Sequence, residues 1–122
     1  MAAPNIVNVT SIYGRTQGAA LGTSANTDIL ECPSNKLLKI NSIIVANVDG
    51  TNAANLNVSF YDSSATARYA LASTVAVPAD STLVVIGKDS PLYLAEGDQI
   101  EASASAAGDL ELVISFEELD DA

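Results

Sequence analysis

The 122-residue chain has no histidine and no tryptophan, one cysteine, two phenylalanines and five basic residues. Each scarcity excludes a chemistry. Without histidine there is no Ser-His-Asp or Cys-His relay, and no Cys/His cluster for a transition metal. Lysine could replace histidine as a base, but Lys36, Lys39 and Lys88 fall in polar turns or on wet faces. Nothing in that setting would depress a lysine pKa. A single cysteine, Cys32, cannot form an internal disulfide. It precedes Pro33 at the end of a strand-like run and reads as a small buried apolar residue. With so few aromatics, the core falls to Val, Ile, Leu and Ala, which suits a thin, regular sandwich.

Positive charge is also scarce. Fifteen acids against five bases give a net charge of −10. Nucleic acid is therefore not an expected partner, because phosphates must be neutralised by Lys and Arg. Anionic membranes are excluded on the same ground. The charge favours solubility, and either a partner with basic groups or a saline milieu. No run of about 20 apolar residues predicts a transmembrane helix. The opening MAAPNIVNVT has neither the basic nor the apolar region of a signal peptide, so synthesis in the cytoplasm is expected, and retention there unless an assembly carries the protein out. On that route the sequons at Asn8 and Asn57 are chance matches.

What is present is β patterning. Apolar residues make up 48% of the chain, enough for one globular core at this length. The longest pattern is Leu37 to Asp62, LLKINSIIVANVDGTNAANLNVSFYD. Leu38, Ile40, Ile44 and Ala46 share one face at period two in its first run. Leu56, Val58 and Phe60 do so in its second. Asp49-Gly50-Thr51-Asn52 supplies the turn, so the stretch is a hairpin or a corner between sheets. Burial of Ile40, Ile44, Val58 and Phe60 with Ile114 and Phe116 is expected. Further strands are predicted at Thr27–Cys32, Arg68–Val77, Thr82–Ile86, Leu92–Leu94, from Ile100, and at Leu110–Glu118. Thr82–Ile86 reads as buried on both faces or at a sheet junction. About eight short antiparallel strands, spaced by Gly, Pro and Asp turns, predict an all-β, single-domain β-sandwich or jelly roll.

The flanks differ from this body. In residues 1–26 the only charge is Arg15, and Gly14, Gly18 and Gly22 interrupt the pattern. That segment predicts an extended N-terminal arm that adds a strand to a neighbour's sheet, with Ile6, Val7, Val9, Ile12, Tyr13 and Arg15 as partner-binding residues. Residues 27–118 form the predicted sandwich, and residues 119–122 an acidic C-terminal tail.

Two oxygen-rich clusters are candidates for chemistry. Glu96, Asp98 and Glu101 could in principle serve a glycosidase or hold Ca²⁺. Asp49, Asn52 and Asn55 form a second Ca²⁺ candidate. Neither has EF-hand spacing, no aromatic sugar platform accompanies the first, and turn-forming and capping roles explain both. No catalytic, cofactor or metal residue is therefore expected, and the chain is not expected to be an enzyme.

Three stretches carry a resemblance: MAAPNIVNVTSIYGRT, the central Leu37–Asp62 run, and LYLAEGDQIEASASAAGDLELVISFEEL. Over most of its length the chain resembles small β-sandwich virion proteins of tailed bacteriophages, especially those of cyanobacteria and marine bacteria. Leu92 to Ile100 also resembles the L-x-x-G-D-x-I entry strand of trimeric jelly rolls. The resemblance implies a virion structural role. The expectation is a head decoration (cement) protein on the outer capsid surface, bound to the major capsid protein and to itself as a homo-oligomer, a trimer. A small tail, neck or appendage component is the alternative.

Overall fold

The structure is a computed structural model that describes residues 11–120. It is all-β, with nine strands in two antiparallel sheets. The larger sheet has the order β1 (Ser11–Ala20), β9 (Leu110–Asp120), β3 (Lys36–Asn47) and β6 (Thr82–Ile86), with β7 (Leu92–Leu94) also pairing with β3. The smaller sheet runs β2 (Thr27–Glu31), β8 (Gln99–Ala104), β4 (Ala54–Asp62) and β5 (Ala67–Val77). Inward positions from both sheets form one core that includes Leu38, Ile40, Leu56, Val58, Ile100 and Ile114. Its aliphatic composition follows from the scarcity of aromatics: only Phe116 among them is fully buried.

The Leu37–Asp62 stretch is a corner, not a hairpin. β3 lies in the larger sheet and β4 in the smaller one, and they do not pair. Asp49 builds the corner, accepting from the backbone N–H groups of Thr51 and Asn52 at 2.8 and 3.3 Å. Asn47, buried beside it, donates to the carbonyls of Asn52 and Val77.

The alternation expected of β3 holds only to Ile40. Ile40 faces Phe116 and Ser42 faces Ser115, so Asn41 is an extra, unpaired residue. A bulge reverses which residues point inward. Ile43 and Val45 therefore enter the core, while Ile44 is 36% exposed. Ile44 does not join the cluster of Ile40, Val58, Ile114 and Phe116, and Phe60 is half-buried at its margin.

Three further expectations are corrected. Ser11–Ala20, assigned to an arm reaching a neighbour, pairs along its whole length with β9 of the same chain. Gly14 and Gly18 do not break this strand: both stay in register with β9, opposite Glu117 and Val113. Leu119 and Asp120, assigned to a solvated tail, are the last residues of β9, and Leu119 is buried. Thr82–Ile86 is a strand, but Val84 is 60% exposed, as on an edge strand with one open face. Ile6, Val7 and Val9, and residues 121–122, lie outside the described residues.

Candidate docking face and polar trough

Strand register places a set of apolar side chains on the outer face of the larger sheet. Leu110, Leu112, Ile114 and Phe116 point inward, so Glu111, Val113, Ser115 and Glu117 point outward. Reading across the ladder, Val84, Ile44, Val113 and Gly18 form one outward row. Ser42, Ser115 and Thr16 form the next, and the hydroxyls of Thr16 and Ser115 meet at 3.4 Å. Tyr93, Lys39, Glu117 and Gly14 follow, and Leu37 and Ile12, on either side of the buried Leu119, end the face. Ile12, Ile44, Val84 and Tyr93 are all exposed on this side. Its charged groups are Lys39, Glu111 and Glu117, so the face is nearly neutral on a chain of net charge −10. Towards one edge, Lys39, Lys88, Asn41 and Glu117 border an open groove, in which Asn41 donates to Glu117 at 3.1 Å.

The predicted partner-binding residues are divided by this geometry. Ile12 lies on the outer face, 58% exposed. Tyr13 and Arg15 alternate to the other side of β1, where the Arg15 guanidinium sits 5.4 Å from the Tyr13 ring centroid and pairs with Glu118 at 3.0 Å. Lys36 joins the same cluster, 3.2 Å from Glu118 and 2.7 Å from Asp120. The exposed Ile44, Val84 and Tyr93 went unseen in the sequence. The Asn41 bulge hid the first, and pairing with β3 was needed to place the other two.

The acidic clusters are dispersed among structural partners. Asp98 is buried and accepts from the N–H groups of Ser63 and Ala95, both at 3.0 Å. Glu96 accepts from the N–H of Asn35 at 2.8 Å. Glu101 takes Arg68 in a two-pronged pair at 2.6 and 3.2 Å. Among the described residues no three potential ligands gather around a common point. Cys32 is buried as expected. Burial is the main cause that pushes its thiol up to about 11, which favours the protonated form at neutral pH.

The second feature is a trough on the outer face of the smaller sheet, about 280 Å³ in volume. Its floor comes from two cross-strand pairs, Ser59 with Glu101 and Asn57 with Ser103. All four point away from the core, since Leu56, Val58, Ile100 and Ala102 point into it. Yet Glu101 is 4% exposed and Ser103 only 6%. Walls stand over them: Ala25 and Asn26 on one side, Ala70, Ala72 and Ser73 on the other. Asn26 reaches its place with a left-handed backbone, φ 59°. The opposite wall is bent by a register shift in β5, where Thr74 takes φ 52° and its N–H donates to Asn57 Oδ1 at 2.8 Å. Arg68, which holds Glu101, lies over the Tyr61 ring, 5.1 Å from its centroid. Asp28 lies across from Glu101 on β2, its pKa raised by partial burial and by the nearby charges of Glu31 and Glu101.

Compared with known proteins, the chain matches no family model and no curated protein.

Proposed function

We propose that this chain is a structural protein of a bacteriophage virion, a decoration protein that binds the outer head surface and stabilises the shell. The reading begins from the resemblance to small phage virion proteins. The observation that carries it further is the outer face of the larger sheet, nearly neutral on an otherwise acidic molecule and bearing exposed Ile12, Ile44, Val84 and Tyr93 among its polar rows. Several exposed large apolar side chains on one face of a small domain mark a contact surface. Two copies of charge −10 repel unless they meet where acids are sparse, and this face offers that place. A homotrimer and its seat on the major capsid protein would share the sheet, with the acidic remainder turned to solvent.

Connectivity supports the same reading. β4 pairs with β5, β3 with β6 and β7, β2 with β8, and β1 with β9. Nested pairs of this kind are what one long hairpin rolled into a jelly roll would give, an architecture frequent in capsid proteins. Fold alone does not assign a role, so the surface carries the argument.

The test is copy number together with a face variant. In purified virions, a ratio to the major capsid protein near one is expected. Val84→Glu should leave the domain folded and abolish its binding to particles stripped of this protein. A few copies per particle would move the chain to the tail, neck or an appendage. Undiminished binding of the variant would remove the face from the mechanism.

A further inference from the structure

We infer that the trough on the smaller sheet is a binding site for one neutral sugar ring, a role independent of the assembly face on the opposite sheet. Its floor is built and held. Glu101 is fixed by Arg68, and Asn57 Oδ1 accepts from the Thr74 N–H, so the lining Asn57 keeps the two donors of its amide nitrogen to offer. The hydroxyls of Ser59, Ser73 and Ser103 hold no hydrogen bond among the described residues. Ser103 is nearly covered, yet its oxygen is not sealed off without a partner, so it opens on the trough.

The chemistry of the lining selects the ligand. A phosphate or carboxylate would meet the Glu101 carboxylate, with Arg68 already engaged. A metal ion would find one lining carboxylate, Glu101, and that one is committed to Arg68. An apolar ligand would strip water from hydroxyls and amides without replacing its hydrogen bonds. A nucleobase would find no aromatic ring among the lining residues to stack on. A pyranose brings what the lining lacks. Its hydroxyls both donate and accept, matching Ser and Asn, and its C–H face suits the methyls of Ala70 and Ala25. The volume is just under the usual range for small-molecule sites, about 300–1,000 Å³, and so suits one ring and not a chain of them. Without an aromatic platform the affinity belongs in the millimolar range.

The test uses the full chain and a panel of free monosaccharides: glucose, galactose, mannose and N-acetylglucosamine. Backbone amide shifts on titration should be confined to β4, β5, β8 and residues 25–26 for at least one sugar. Ser59→Val fills the floor and removes a hydroxyl, and should weaken that sugar at least tenfold. Ser73→Val, at an exposed wall position, should do the same and serves if the first variant is unstable. A glycan array separates free from chain-terminal sugar: a terminal residue in the trough gives a signal that the monosaccharide competes away. No response to any monosaccharide, shifts mapping elsewhere, array binding without competition, or undiminished binding by a folded variant would each overturn the site.

Discussion

Asp98 shows how a residue legible as chemistry becomes structural once its surroundings are known. The sequence places it between Glu96 and Glu101 in a Gly-containing turn, a pattern equally suited to an ion site and to a cap. The fold decides, because Asp98 joins three segments. Its carboxylate accepts from Ser63 and Ala95, and its carbonyl accepts from the N–H of Cys32 at 3.0 Å. Gly97 beside it has φ +86°, and a Cβ there would lie 2.9 Å from Ser63 Oγ. Asp98→Ala leaves two backbone donors without an acceptor, each costing about 1–3 kcal/mol. A loss of about 3 kcal/mol is expected, read as a lower urea midpoint at unchanged slope. Asp98→Asn keeps one acceptor oxygen and should cost roughly half as much. Equal losses for the two variants would mean that the charge, and not the acceptors, matters.

At the scale of the element, β3 separates what a pattern can reveal from what it cannot. Period two placed Leu110, Leu112, Ile114 and Phe116 inward on β9, and Ile100, Ala102, Ala104 and Ala106 inward from β8; all are buried but Ala106, which lies past the end of β8 and is half-buried. Those strands carry no bulge inside their inward runs. β3 carries one at Asn41, and polar Asn and Ser at successive positions give no period by which to locate it. The sequence offered KINSIIV, in which Ile43 and Ile44 are chemically alike, so only pairing with β9 tells them apart. The trough escaped detection for a related reason. Its walls come from a left-handed Asn26 and a bent β5, and its floor from residues up to 46 positions apart, Asn57 and Ser103. Individually these Ser and Asn residues look like ordinary wet-face positions. The two isoleucines give a direct check. Ile43→Ser puts a hydroxyl into a closed core and removes packing, at about 4 kcal/mol. Ile44→Ser changes a partly exposed side chain and should stay within about 1 kcal/mol. Chemical denaturation of both variants distinguishes this register from the unbulged one, which requires the opposite order.

For the molecule as a whole, the charge balance sets how stability responds to salt. Three of the five bases are in ion pairs among the described residues: Arg15, Lys36 and Arg68. Salt weakens such pairs, but mostly exposed ones contribute little, about 0–1 kcal/mol each. Against them stand fifteen acids whose mutual repulsion favours the expanded chain. Raising sodium chloride from about 10 mM to about 500 mM shortens the Debye length from about 30 Å to about 4 Å. Repulsion among the excess acids acts over the larger of these distances and is removed, whereas Arg68–Glu101, with Glu101 buried, is at contact distance and largely survives. The expected net effect is a gain on the order of 1–2 kcal/mol in folding free energy and a higher thermal midpoint. The measurement should be made at a concentration low enough to keep copies apart, because screening also promotes association through the neutral face. That association should appear separately, as a sedimentation coefficient that rises with protein concentration at high salt in the wild type but not in Val84→Glu. Stability that falls with salt would assign more to the ion pairs than their exposure permits, and would reverse the view that this protein is built around an excess of negative charge.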